Sequence, residues 1–121
     1  MSVDCIFATC EIVPELDPDD RLPVDELRRR GLRVAIAAWN DPSVNWAGAR
    51  LCVVRSTWDY HRYHDEFLSW IERVAATTRI INDPSILRWN AHKSYLRDLE
   101  TRGVPVVPTL WAERGERHRL S

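Results

Sequence analysis

The segment RIINDPSILRWNAHKSYLRDLETRGVPVVPT, residues 79–109, decides the fold class of this chain. It begins with a short apolar run that predicts a strand, and Asp83-Pro84 follows as a typical helix start. A second helix is predicted from residue 90 or 91 to residue 102, and Gly103 ends it. Residues 106–110 then predict another strand, although prolines interrupt the run. This one segment therefore predicts a strand, two helices and a further strand in succession.

The rest of the chain continues the same alternation. Apolar runs predict strands at residues 3–9, 33–38 and 51–55, and helical spacing of apolar residues predicts helices at residues 23–30 and 64–77. This order is typical of an α/β fold with an open, mainly parallel sheet of about five strands. Such sheets bind ligands beyond the carboxyl ends of their strands, so polar residues that follow a strand are the candidate site residues.

Composition narrows the possible functions. The chain has 121 residues with 17 basic and 18 acidic side chains, a net charge of −1 that gives no support to binding of nucleic acid or of a membrane surface. No apolar run approaches the roughly 20 residues of a membrane span, and no basic stretch marks a signal peptide, so we expect a cytoplasmic protein. The three cysteines lack a CxxC spacing and lie in or beside predicted strands, which favours buried free thiols.

The hexapeptide RSTWDY, residues 55–60, is the densest group of polar side chains at a predicted strand end. Arg55 offers a bidentate fork for a carboxylate or phosphate, and Ser56 and Thr57 add hydroxyl groups. Asp59 can accept hydrogen bonds from an ammonium group. These residues predict contact with a small zwitterionic substrate such as an amino acid. The structural alternative is that Arg55 pairs with Asp59, which caps the following helix, while the aromatic side chains pack in the core.

Lys93 lies in the first turn of the second predicted helix. A cation is unfavourable at the positive end of a helix dipole, so such a lysine usually has an anionic partner. We predict that this partner is a nucleotide phosphate, and the alternative is a solvated surface lysine. The chain contains neither GxGxxG nor GxxxxGK[ST], so a glycine-rich phosphate loop is missing.

Two patterns could indicate a metal site, and both are weak. His61 and His64 are three positions apart but have no carboxylate at a matching spacing. Asp17, Asp19 and Asp20 could form an acidic pocket, but acidic residues are also common in the solvated loop before a helix. We therefore predict neither a metal ligand nor a catalytic residue in this chain.

Together, these motifs resemble one known family. The chain resembles the N-terminal, pre-ATP-grasp domain of glutathione synthetase-like ATP-grasp proteins, and within them the group that includes the D-cycloserine-forming ligase. The resemblance rests on DPDD at residues 17–20, WNDP at 39–42, RSTWDY at 55–60, WNxxKxYL at 89–96 and GVPVVPT at 103–109. It implies a Rossmann-like, three-layer fold with a mainly parallel sheet.

The resemblance also implies a function. In this superfamily a lysine that opens the helix before a GVPVVPT-like strand contacts ATP phosphate, and Lys93 matches that position. The N-terminal domain also lines the substrate site, for which Arg55, Ser56, Thr57 and Asp59 are the matching positions. The implied chemistry is ATP-dependent formation of an acyl phosphate, which an amine or a thiol then attacks. His92 departs from the family, in which an acidic residue is expected before the lysine.

The resemblance further implies how the chain is organised. Residues 1–110 are expected to form the pre-ATP-grasp domain, and residues 111–121 a tail or the start of a missing ATP-grasp domain. ATP and Mg²⁺ are expected only together with that further domain, so the isolated chain is predicted to be inactive. Expected partners are a small-molecule substrate and the ATP-grasp domain or a partner chain, without nucleic acid or membrane. The alternative is a stand-alone α/β binding or regulatory module that docks a partner protein through exposed tryptophans.

Overall fold

Four strands form a single parallel sheet, and helices cover both of its faces. The computed structural model describes residues 2–117. The elements in chain order are β1 (Val3–Thr9), α1 (Pro18–Arg29), β2 (Val34–Ala38), β3 (Ala49–Ser56), α2 (His64–Ala75), β4 (Arg79–Ile81), α3 (Pro84–Asn90) and α4 (Tyr95–Thr101). Short 3₁₀ turns at Trp46–Gly48 and Tyr60–Arg62 precede β3 and α2.

The strand order β2-β1-β3-β4 creates a switch point in the middle of the sheet. From β1 the chain passes through α1 to β2 on one side, and from β3 it passes through α2 to β4 on the other side. The two connections therefore diverge from the carboxyl ends of β1 and β3. A crevice beyond such diverging strand ends is the usual ligand position in an open α/β sheet.

A separate core lies on each face of the sheet, because the side chains of a strand alternate between the two faces. Cys5 and Phe7 of β1 pack with Val24 of α1 in one cluster. Ala8 of β1 and Cys52 of β3 belong to the other cluster. That second cluster is covered by four buried side chains of α2: Phe67, Trp70, Ile71 and Val74. Helix, sheet and helix thus form three layers, which confirms the predicted α/β class with a parallel sheet.

Several tryptophans belong to the second core and not to the surface. Trp39 and Trp70 are each 2% exposed, and their ring centroids lie 6.0 Å apart. Trp46 is half-buried and packs edge-on against Trp70, with a centroid distance of 5.1 Å. Trp58 and Trp89 are exposed. Trp39 and Trp70 are therefore not available to a docking patch, and a patch of the exposed tryptophans stays a prediction.

Helix α1 begins at Pro18, earlier than the predicted start at residue 23. The side chain of Asp17 accepts a hydrogen bond from the backbone N–H of Asp19 at 3.0 Å and so caps the helix. Pro18 occupies the first turn, where backbone N–H groups have no partner within the helix, so the missing N–H of proline costs no hydrogen bond. Gly31 follows the helix with a φ of +86°, a left-handed conformation that glycine adopts without strain. The early start places Asp20 in the first turn of the helix.

Lys93 lies in a turn and not in the first turn of a helix. The predicted helix that begins at residue 90 or 91 is wrong at its start, because α3 extends to Asn90 and α4 begins only at Tyr95. The predicted helix start at Asp83-Pro84 is confirmed, since the side chain of Asp83 accepts a hydrogen bond from the backbone N–H of Ser85 at 2.8 Å. Lys93 thus connects two short helices.

The strand predicted at residues 106–110 is wrong. The segment is irregular, and Val107 is 79% exposed. Pro105 and Pro108 have no N–H groups with which to pair with a neighbouring strand. Within residues 2–117 the sheet therefore contains four strands instead of about five.

Candidate functional site

Polar residues from two elements meet at the switch point. Arg55 and Ser56 end β3, and Ser56 lies beside Thr9 at the end of β1. Asp17 and Asp20 belong to the start of α1, the helix that follows β1. The chain thus brings the amino end of a helix to the carboxyl ends of the two central strands.

The buried carboxylate of Asp20 connects these elements. Its Oδ1 accepts hydrogen bonds from Nε of Arg55 at 2.9 Å and from Nη2 of Arg55 at 2.7 Å. Its Oδ2 accepts a hydrogen bond from Oγ of Ser56 at 2.6 Å. Asp20 is 7% exposed, and hydrogen bonds between charged groups are stronger than neutral ones. This network holds the guanidinium of Arg55 in a defined position relative to the sheet.

Ser56 is directed into the protein. It is fully buried, and its hydroxyl also accepts a hydrogen bond from the backbone N–H of Asp17 at 3.3 Å. Together with the bond to Asp20, this contact holds the start of α1 against β3. The placement gives the hydroxyl of Ser56 a structural role and does not support the predicted contact with substrate.

Asp59 is buried as well, at 4% exposure. Its Oδ1 accepts a hydrogen bond from Nε1 of Trp39 at 2.9 Å, so the carboxylate faces the segment that follows β2. The structural alternative of an Arg55–Asp59 pair is wrong, because Arg55 pairs with Asp20, and the side chain of Asp59 caps no helix. Contact between Asp59 and a substrate ammonium group stays a prediction that this placement does not support.

Arg55 and Thr57 line a small cleft between the end of β3 and α3. The cleft has a volume of about 150 Å³, and Asn82 and Asn90 also contribute to its lining. The side chain of Arg55 is 55% exposed, and within residues 2–117 its Nη1 has no hydrogen-bond partner. One edge of the guanidinium is therefore held by Asp20, and the other edge is available to an anion.

Lys93 is close to this cleft along the chain but does not line it. Ala91 belongs to the lining, whereas Lys93 is exposed, with its Nζ 5.8 Å from the centroid of the Tyr95 ring. The backbone C=O of Lys93 accepts a hydrogen bond from the N–H of Leu96 at 3.0 Å, which helps to start α4. The phosphate contact of Lys93 stays a prediction.

The three cysteines are buried free thiols, as predicted. Burial and, to a smaller extent, the nearby carboxylate of Asp4 raise the pKa of the Cys5 thiol to about 11. Burial likewise raises the pKa of Cys52 to about 12. Because the thiolate is the reactive form, these two side chains are poor nucleophiles at neutral pH.

Neither metal pattern in the sequence becomes a metal site in the described part of the chain. Within residues 2–117, no group of three or more His, Cys, Asp or Glu side chains is arranged to hold a metal ion. Instead of forming an acidic pocket, Asp17 caps α1 and Asp20 binds Arg55 and Ser56. These acids therefore stabilise the fold around the switch point.

The partners of two residues of this site do not emerge from the sequence patterns. Asp20 follows Asp17-Pro18, which is itself a typical N-cap and first-turn proline. That signal places Asp20 on a helix next to the sheet, but it does not name Arg55 as its partner. No local pattern connects Trp39 with Asp59, because their contact depends on the tertiary fold.

Residues 5–82 match the family model described as D-cycloserine synthetase DcsG, N-terminal domain. The chain belongs to this family. The matched residues include most of β1 and extend past β4, so they contain the switch point and the network of Asp20. The DcsG match confirms the resemblance to the D-cycloserine ligase group.

A DcsG sequence and a DcsG crystal structure agree with the family match. The chain is 37% identical over 86 residues to the cycloserine biosynthesis protein DcsG of Streptomyces lavendulae, and this alignment covers 71% of the chain and 29% of that protein. It also matches the crystal structure of D-cycloserine synthetase DcsG with a TM-score of 0.76 and 33% identity, over 86% of the chain and 35% of that structure's chain. The chain thus spans about a third of the length of these DcsG proteins. Within residues 2–117, each helix is too short or too polar to cross a bilayer.

Proposed function

We propose that this chain forms the N-terminal, substrate-side domain of an ATP-grasp ligase that joins a carboxylate to an amine or thiol through an acyl phosphate. Membership of the DcsG N-terminal family supports a ligase domain. The observation that carries the proposal is Arg55, whose guanidinium is held by Asp20 at the switch point and keeps one edge free. Without a further domain, the chain is expected to be inactive.

In this proposal Arg55 binds the carboxylate of a small zwitterion such as an amino acid. A carboxylate fits the free edge of the guanidinium because arginine donates its N–H groups in a planar fork. Asp20 orients this plane before the substrate arrives, which reduces the conformational entropy lost on binding. Thr57 is only 6% exposed but lines the same cleft, and its hydroxyl group is the second contact that we propose for the substrate.

The size of the cleft supports a site that is shared with another domain. Its volume of about 150 Å³ is below the roughly 300–1,000 Å³ of typical small-molecule pockets. It therefore has room for a carboxylate and a few more atoms, and a larger substrate needs a second wall. We assign that wall to an ATP-grasp domain in the same polypeptide or in a partner chain.

The described residues do not fit a complete site for ATP and Mg²⁺. The sequence has no glycine-rich phosphate loop, and within residues 2–117 no acidic group is arranged for a metal ion. Lys93 is exposed, and a phosphate contact there depends on the further domain. ATP and Mg²⁺ thus belong with that domain in this proposal, and a cytoplasmic location would supply both.

Titration with D-serine, an amino acid with a free carboxylate, tests the substrate part of the proposal. Two-dimensional NMR of the 121-residue chain should show saturable shifts at the amides of Arg55 and Thr57. Arg55→Lys should weaken this binding by about tenfold or more, because lysine cannot form the planar fork. Arg50→Lys, at the opposite end of β3, should leave it unchanged. Equal affinity in both variants would remove Arg55 from the substrate site.

Calorimetry with MgATP tests the incompleteness of the nucleotide site. The chain alone should bind MgATP very weakly at most, and a coupled assay should detect no ADP formation. Tight binding or ATP turnover by these residues alone would contradict the assignment of the nucleotide site to a further domain.

A stand-alone module that docks a partner protein is the alternative function. Exposed apolar side chains concentrate in the last part of the described chain: Ile86, Trp89, Val104, Val107 and Leu110. Such a surface suits a partner protein and an ATP-grasp domain equally well. Sequencing of the gene beyond codon 121 would distinguish the two functions. An open reading frame that continues with a glycine-rich segment and a later pair of acidic residues would support the ligase.

A further inference from the structure

A second groove lies between α2 and the segment that links β2 to β3. We call it the α2 groove, and its walls are residues 39–47 and one side of α2. Its volume of about 690 Å³ falls within the roughly 300–1,000 Å³ of typical small-molecule pockets. None of its lining residues belongs to the cleft of Arg55 and Thr57. The α2 groove is therefore a separate candidate site.

Opposite charges lie at the two ends of the α2 groove. Asp65 and Glu66 are in the first turn of α2, Arg73 is in its last turn, and all three line the groove. Glu66 and Arg73 are separated by about 10 Å along the helix axis, given the rise of each helical residue. Asp65 contacts Nδ1 of His64 at 3.3 Å, whereas Glu66 and Arg73 form no ion pair within residues 2–117. A third carboxylate, that of Asp41, also lines the groove and accepts hydrogen bonds from Ser43, so Glu66 and Arg73 are the opposite charges that a ligand meets at the two ends.

Two residues that line the groove, Asn40 and Trp70, each hold a buried polar atom without a partner. Oδ1 of Asn40 and Nε1 of Trp70 are buried, and neither has a hydrogen-bond partner within residues 2–117. Buried polar groups are nearly always paired, and here one is an acceptor and the other is a donor. An amide group carries the complementary N–H and C=O. Because both atoms are covered in the free groove, we expect the side chain of Asn40 to rotate when such a ligand binds.

We propose that the α2 groove binds a peptide-like zwitterion of about dipeptide length. The ligand's ammonium group lies at Glu66, its carboxylate lies at Arg73, and its amide lies beside Asn40 and Trp70. A single amino acid spans only about 3.5 Å and leaves most of the separation of about 10 Å to the side chains, whereas a dipeptide spans about 7 Å and leaves about 3 Å. The long side chains of Glu66 and Arg73 cover the remaining distance. This inference is independent of the proposed ligase function.

Apolar side chains between the charged ends favour a ligand with apolar substituents. Val44 and Trp46 line the groove from the segment before β3, and Trp46 packs edge-on against Trp70. Small apolar side chains of a dipeptide, such as methyl groups, therefore have a surface to cover. Trp46 also provides a fluorescence signal for binding at this place.

Titration of the 121-residue chain with L-alanyl-L-alanine tests the proposal, with calorimetry and intrinsic tryptophan fluorescence as the two measurements. Binding should be saturable. N-acetyl-L-alanyl-L-alanine and L-alanyl-L-alanine amide each lack one charge and should bind about tenfold or more weakly. L-alanine, which is too short, should bind weakly for the same reason.

Two charge variants locate the binding site. Arg73→Gln and Glu66→Gln should each weaken the affinity for the dipeptide by about tenfold or more. Arg21→Gln, on the opposite face of the sheet, should leave the affinity unchanged, and circular dichroism should show that all three variants fold. Absence of saturable dipeptide binding to the unmodified chain would overturn the proposal. Equal affinity of Arg73→Gln and Arg21→Gln would overturn it as well.

Discussion

Replacement of Asp20 by alanine tests whether its hydrogen bonds hold the switch point together. The carboxylate accepts two hydrogen bonds from Arg55 and one from Ser56. Its loss leaves the fully buried hydroxyl of Ser56 without an acceptor, which costs about 1–3 kcal/mol. The Arg55 side chain is 55% exposed, so solvent screening limits the lost ion pair to about 1 kcal/mol. We therefore expect a destabilisation of about 2–4 kcal/mol.

Urea unfolding at neutral pH, followed by tryptophan fluorescence and circular dichroism, measures this free energy. The midpoint should fall while the slope stays constant, because the buried surface changes little. Asp19→Ala is the matched control, since Asp19 lies in the same helical turn but is exposed. It should lose only its interaction with the helix dipole, about 0.3–1 kcal/mol.

A double-mutant cycle measures the coupling between Asp20 and Ser56 separately from the effect of Asp20 on the helix. Ser56→Ala removes the hydroxyl that Asp20→Ala leaves unpaired, so the two changes together should cost less than their sum by about 1 kcal/mol or more. The reasoning is refuted if Asp20→Ala is no more destabilising than Asp19→Ala. A coupling energy below about 0.5 kcal/mol between Asp20 and Ser56 would refute it too.

Three further predictions concern other parts of the chain. Asp59→Ala should destabilise the fold by about 1–3 kcal/mol in urea unfolding, because it leaves the buried N–H of Trp39 without an acceptor; Asp59→Asn keeps an acceptor and should cost less. The pKa values of Cys5 and Cys52 are raised from 9.0 to about 11 and about 12, so the folded state favours the neutral thiols. The stability that comes from these raised pKa values should be complete below about pH 9 and should fall as the pH rises toward 11. The loss should reach up to about 1.4 kcal/mol for each pH unit by which a pKa is raised. Urea midpoints measured between these two pH values would test this. Val107→Asp should change the free energy of unfolding by less than about 0.5 kcal/mol, since Val107 is 79% exposed outside any strand, and a larger loss would show that its segment pairs with the sheet after all.

The order of strands and helices could be predicted from the sequence because it depends on local patterns. β1 and α2 agree closely with the predicted elements, since a continuous apolar run and a helical spacing of apolar residues are visible within the respective segments. Local patterns were not sufficient for the segment after α4. Residues 106–110 are apolar enough for a strand, but a strand also needs a partner, and Pro105 and Pro108 cannot donate hydrogen bonds to one.

The partners of the polar residues could not be predicted in the same way. The sequence places Arg55, Ser56 and Asp59 at a strand end correctly, but it does not say which of them face a cleft. The structure buries Ser56 against Asp20 and Asp59 against Trp39. Both partners are 20 or more positions away in sequence, as Trp39 and Asp59 illustrate, so only the three-dimensional fold brings them together.

Because Ser56 and Asp59 are buried, Arg55 is the best-supported of these residues as a ligand contact. Polar side chains at a switch point serve either the fold or a ligand, and a buried group with all its hydrogen bonds satisfied serves the fold. Asp20 satisfies Ser56 and one edge of Arg55, while Arg55 keeps half of its side chain exposed. The same carboxylate thus stabilises the domain and fixes the guanidinium of Arg55, a residue that lines the cleft. Loss of Asp20 should consequently reduce stability and ligand affinity together, whereas loss of the exposed edge of Arg55 should reduce affinity more than stability.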